Sequence, residues 1–136
     1  MAKTVLLIGT LDTKGDEVLY TRALIEARGH QVILLDAGVL RDPEGRVNVR
    51  AAEVAEAGGG ELSALRAQGD RGVALEVMAR GTATIAQRLF NEGRIDGVIG
   101  LGGSSGTSIA TAAMRLLPVG LPKVMVSAVG CGQVAR

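Results

Sequence analysis

Short unbroken runs of apolar residues alternate along the chain with longer segments in which apolar positions recur every three or four residues. The unbroken runs are Thr4–Gly9 (TVLLIG), Gln31–Asp36 (QVILLD), Asp96–Leu101 (DGVIGL) and Lys123–Ser127 (KVMVS). Rich in Val, Ile and Leu and lacking polar alternation, they predict strands of a parallel sheet covered on both faces. Between them, Asp16–Arg28 opens on Asp16 and Glu17 and closes on Arg28-Gly29, so its charges complement a helix dipole and glycine supplies the stop. Val73–Glu92 carries Val77, Met78, Gly81, Ile85 and Leu89 on one helical stripe, and Thr107–Leu116 predicts a helix closed by Pro118.

The middle of the chain is less regular. Ala37–Asn48 contains Gly38, Pro43 and Gly45 and reads as loop, and Val49–Ala57 as a short helix stopped by Gly58-Gly59-Gly60. Gly58–Gly72 is expected to be a mobile connection inside one domain, because too few residues flank it for two cores. Strands alternating with helices predict an α/β fold, a doubly wound, mostly parallel Rossmann-like or flavodoxin-like sheet with strand order 2-1-3-4. Its topological switch then lies between the first and third strands, where open α/β sheets bind ligands at their carboxyl edge.

Composition narrows the function classes. The 136 residues are 47% hydrophobic and 21% charged, which suits one folded domain and not a disordered chain. Tyr20 and Phe90 are the only aromatics, so the core must be aliphatic and no base-stacking platform is available. Fifteen Lys and Arg against 14 Asp and Glu give a net charge of +1, without the basic bias of a nucleic-acid binder. The single cysteine, Cys131, excludes an intrachain disulfide, and activation as a nucleophile would depend on helix termini alone. The N-terminal apolar run is too short for a signal peptide or a membrane span, so a cytoplasmic protein is expected.

Two loops would meet at the switch point. Gly9–Gly15 (GTLDTKG) offers Thr10 and Thr13 as hydrogen-bonding hydroxyls, Lys14 as a cation for phosphate, and Asp12 as a magnesium ligand. Gly100–Ser108 (GLGGSSGTS) is a strand, a glycine-rich turn and a helix start. There, Gly102, Gly103 and Gly106 permit close backbone approach, and Ser104, Ser105 and Thr107 add hydroxyls to the free N–H groups. The alternative is a tight turn that binds nothing. No P-loop is present, and Gly106 falls one residue too late for G-x-G-x-x-G, so dinucleotide binding in the usual mode is weakly supported. Asp36 ends the second strand where α/β folds often hold a ribose, or else it caps a turn.

Gly102–Gly106 also fits G-x-S-x-G, the nucleophile elbow. The only histidine, His30, precedes the second strand at the opposite sheet edge, so no triad with Ser104 closes within the chain. Binding without strong catalysis is the preferred reading. Weak phosphoryl or acyl transfer by Ser104, or a regulatory interaction module without its own ligand, are the alternatives.

These loops, together with Asp36-Ala-Gly38, Ala110–Arg115 and Pro118–Ser127, resemble the N-terminal domain of the Tm-1-like ATP-binding family, UPF0261, across nearly the whole chain. The resemblance implies an α/β domain that takes ATP with magnesium and precedes a barrel-like domain. It carries site roles onto Thr10, Asp12, Thr13, Lys14, Gly102, Gly103, Ser104, Gly106 and Thr107, while Ser105 stands where the family pattern has glycine. It also implies that the usual chain continues beyond the point matching Arg136, making this chain a fragment or a truncated member. A fourth strand without a covering helix then predicts self-association, as a dimer. A bound base is expected to lie against aliphatic side chains, with phosphate contacts dominating recognition.

Overall fold

The computed structural model describes residues 2–128. The four apolar runs form one parallel sheet: β1 (Thr4–Gly9), β2 (Gln31–Asp36), β3 (Gly97–Gly102) and β4 (Lys123–Ser127), in the order β2-β1-β3-β4. β1 is central, with Gly9 registered against Asp36 on one side and Leu101 on the other. β4 pairs with β3 through Val98↔Lys123 to Gly102↔Ser127 and forms an outer edge. Val49 bridges Leu35 and extends the opposite edge beyond β2. The expected topology and its switch point between β1 and β3 are therefore present.

Two apolar layers cover the sheet, because successive strand residues point to opposite faces. On one face Leu7, Leu34 and Leu101 pack against Leu11 and Val18 of α1 (Leu11–Ala27). On the other, Leu6, Ile8, Leu35 and Val98 join residues of α2 (Ala51–Ala57), α3 (Leu62–Gln68), α4 (Arg71–Asn91) and α5 (Ser104–Leu116) in a larger cluster. Methionine and aliphatic residues dominate it, with Phe90 only at its margin.

Three expectations need correction. The supposed mobile connection contains α3, whose Leu62 and Leu65 are buried at helical spacing and whose end is closed by Gly69 at φ +68°. Asp70 then caps α4 by accepting the Val73 N–H at 3.1 Å, so that helix starts at Arg71. The first loop is also largely helical. α1 begins at Leu11 instead of Asp16, with a kink at Lys14 (φ −125°), because the Leu11 N–H finds an acceptor in Asp36 across the sheet end. Likewise α5 begins at Ser104, three residues before the expected Thr107. Ser105 is accommodated there without strain, since no non-glycine residue among those described has positive φ.

α2 and α4 cross at Gly58 and Gly81. A Cβ on Gly81 would collide with the Val54 carbonyl, and one on Gly58 with the Val77 carbonyl, so both glycines are required by backbone proximity. Gly81→Ala is expected to destabilise the fold by about 1–3 kcal/mol despite the better helix propensity of alanine. Denaturant unfolding measures this, and a neutral or stabilising result would show that the crossing is looser than described.

Candidate functional site

At the carboxyl edge of β1 and β3 the chain opens into a cavity of about 620 Å³. One wall is the start of α1: Thr10, Asp12, Thr13 and Lys14. The adjoining wall is the start of α5, Gly103 to Gly106. The β1–β3 register brings them together, and Gly106 lies against Thr10, whose Oγ1 would stand 3.7 Å from a Cβ built there. The two sequence-predicted segments thus line one cavity, although both are helix starts and not extended loops.

Gly103 is the N-cap of α5 and has no side chain with which to cap it. The N–H groups of the first turn have no intrahelical acceptors and present a partial positive charge. Gly102 lets that turn sit on the end of β3, since a Cβ there would approach the Gly106 Cα to 2.6 Å. At Gly103 a Cβ would meet no atom within 4 Å, so the space above it is open. The Thr10 and Thr13 hydroxyls lie 3.1 Å apart and face the same cavity as the half-buried Lys14.

Two buried carboxylates hold the backbone around the cavity. Asp36 is fully buried, and its Oδ1 accepts the N–H groups of Leu11 (3.1 Å) and Gly38 (2.9 Å). Asp36 is thereby a backbone staple joining the α1 start to the segment after β2, and it does not line the cavity. Asp12 is 7% exposed, accepts the Leu40 N–H at 2.9 Å through Oδ2, and lines the cavity with Oδ1 unpartnered. Burial raises the Asp36 pKa above its ordinary value; the Gly38 and Leu11 donors pull it down, and the charges of Asp12 and Asp42 push it up.

Of the other sequence-predicted residues, Gly103, Ser104, Ser105 and Gly106 line the cavity, whereas Gly102 and Thr107 do not. The Thr107 hydroxyl is engaged with Ser127 Oγ at 2.7 Å, which ties α5 to β4. His30 lies at the other edge of the sheet, where its Nδ1 accepts the Lys3 N–H at 3.1 Å, far along the strands from Ser104. Cys131 lies outside the described residues. Among those described, no group of three or more His, Cys, Asp or Glu side chains is gathered for a metal. No described helix is long and apolar enough to cross a membrane.

The far wall was missed in the sequence. It comes from the α3–α4 junction: Leu65, Arg66, Gly69, Arg71, Ala74 and Leu75. The signal was present in Leu62 and Leu65 at helical spacing and in Asp70 preceding Arg71-Gly-Val73, an N-cap arrangement. The cavity consequently has a polar side at the two helix starts and a mixed side at α3 and α4, where Leu65, Ala74, Leu75 and Met78 stand among Arg66, Asp70 and Arg71.

The family model for the uncharacterised protein family UPF0261, N-terminal domain, matches residues 3–136. A UPF0261 protein of Clostridium tetani is 48% identical over 132 residues, covering 97% of this chain and 33% of the relative. A UPF0261 protein of Rhizobium meliloti is 42% identical over 132 residues, covering 97% of this chain and 32% of the relative. In Solanum lycopersicum the ToMV resistance protein Tm-1(GCR237) is 46% identical over 63 residues, 46% of this chain and 8% of that protein. The chain spans about a third of the length of the bacterial relatives.

Asp36 generates a pH test. A carboxyl whose folded-state pKa lies above its unfolded value binds more protons when folded. Its contribution is therefore fullest below the unfolded pKa and is lost as pH rises through the folded value. Asp36→Asn keeps an acceptor for both N–H groups but removes the titration. The stability of this variant relative to wild type is expected to improve as pH rises from the acid side of the carboxyl range towards neutrality. Urea unfolding across that window checks it, and a difference independent of pH would contradict the assignment.

Proposed function

The chain belongs to the UPF0261 family, matching its N-terminal domain, and from that premise we propose that it is a nucleotide-binding module taking ATP with magnesium. The observation that carries the reading is the uncapped N-terminus of α5, set at the mouth of a cavity whose opposite wall carries an aliphatic patch of Leu65, Ala74 and Leu75. A ligand with phosphates at one end and a planar, largely apolar group at the other matches both walls. The phosphates lie against the first-turn N–H groups of α5 and the Ser104 and Ser105 hydroxyls. Lys14 contributes a point charge and Thr10 and Thr13 hydroxyl donors.

The base lies against Leu65, Ala74 and Leu75. Asp12, with its unpartnered buried oxygen, is the side chain assigned to magnesium, directly or through a bound water. Binding, not turnover, is the proposed activity, since Ser104 has no histidine base within reach. In the longer relatives this module would act together with a barrel-like domain, as the family resemblance implies.

Lys14→Ala is expected to weaken magnesium-ATP binding about tenfold through loss of a charge-assisted contact. Gly103→Val fills the open space above the helix start and is expected to abolish binding while leaving the thermal midpoint unchanged. Isothermal calorimetry with magnesium-ATP reads both. Unchanged affinity in both variants, or no heat with the wild type, removes the reading.

Self-association is part of the same proposal. Val124 and Val126 of β4 are 53% and 52% exposed, in register with Ile99 and Leu101 of the α1-facing sheet surface. An apolar strand surface beside an edge that carries no further strand among the described residues favours pairing with a second copy. Sedimentation equilibrium is expected to give a dimer that Val124→Lys returns to monomer; a wild-type monomer at high concentration would refute it.

A further inference from the structure

A second cavity, of about 740 Å³, lies beside the outer edge of β2, under the segment that follows it and against α2 and α3. Arg66 lines both cavities but is already committed: its Nε donates to the Val39 carbonyl, and its guanidinium pairs with Asp42 at 3.0 Å. Asp36 also lines this cavity, fully buried, with Oδ1 committed to the Leu11 and Gly38 N–H groups. The four exposed charges are not matched. Arg46 and Arg50 line the cavity near the start of α2, and neither forms an ion pair among the described residues. Glu56 near the end of α2 and Glu61 just before α3 also line it without a cation partner, although Glu61 accepts the Ser63 hydroxyl at 2.9 Å.

The cavity is therefore bipolar. Arg50 and Glu56 are six residues apart, which the rise of a helix turns into about 9 Å along its axis. Val47, Ala52 and Leu62 supply apolar lining to the same cavity. Neither a plain anion nor a plain amine satisfies both ends, since each would leave one pair of like charges uncompensated beside it. A molecule with an anionic group, a short methylene chain and an ammonium group neutralises both.

We propose that this second cavity binds a short linear zwitterion of the ω-amino-acid class, its carboxylate at Arg46 and Arg50 and its ammonium at Glu56 and Glu61. Arginine suits the carboxylate end because its planar fork can donate two parallel hydrogen bonds. The methylene chain lies along Val47, Ala52 and Leu62. This site is separate from the nucleotide reading and does not depend on it.

The test titrates the isotope-labelled chain with 6-aminohexanoate and follows backbone amide shifts. Saturable shifts confined to residues 46–52 and 56–63 are expected, and hexanoate or hexylamine should bind at least about tenfold more weakly. Arg50→Gln and Glu56→Gln should each weaken 6-aminohexanoate about two- to fivefold, as for solvent-exposed ion pairs. Both side chains are exposed, so the thermal midpoint should not move. Shifts that are scattered or fail to saturate overturn the proposal. So does hexanoate or hexylamine binding as tightly as 6-aminohexanoate, or both variants binding like wild type.

Discussion

β1 is hydrogen-bonded along both sides, to β2 and to β3, and that double pairing is the constraint from which the rest of the fold follows. A parallel neighbour on each side demands two crossovers, since parallel strands cannot be joined by a tight turn. Here α1 covers one face of the sheet while α5, with α2 to α4, occupies the other. The chain leaving β1 and the chain leaving β3 then diverge to opposite faces. The gap between them is the cavity, flanked by Thr10 on one side and Gly103 on the other. Its position is a consequence of topology, independent of which ligand fills it.

Keeping that gap open requires polar groups in places where apolar ones would pack more simply. Asp36 is buried without a counter-charge, stabilised instead by the N–H groups of Leu11 and Gly38. Those donors would otherwise be left without partners at the sheet end, where an unsatisfied buried amide is costly. Asp12 does the same for Leu40. The segment after β2 is thus held by two carboxylates, and Gly38 is obligatory there because a Cβ would collide with Asp12. The carboxylates act first as backbone acceptors; each keeps one buried oxygen unpartnered, and of the two Asp12 lines this cavity.

The strands and their order were legible because buried parallel strands need unbroken apolar runs, and TVLLIG, QVILLD and KVMVS have no competing interpretation. The glycine-rich turn after β3 was legible for the same local reason. α3 was not, because LSALRAQ is only seven residues in a glycine-punctuated stretch, too short to be helical on propensity alone. Only burial of Leu62 and Leu65 against the other helices holds it in place. The early start of α1 was equally hidden, since it depends on an acceptor supplied by Asp36, 25 residues away.

Local sequence by itself determined the element types, the sheet order and the presence of two polar, glycine-bearing segments at one edge. Hydrophobic period and helix-stop signals act over a few residues and can be read in one dimension. The tertiary structure alone decided that Asp36 would serve the backbone, that Thr107 would turn to β4, and that Leu65, Arg66 and Arg71 would complete the cavity. It also decided that Arg46 and Arg50 would share a second cavity with Glu56 and Glu61. Each of these depends on which distant group lies within a few ångströms, and that distance exists only once the chain has closed on itself.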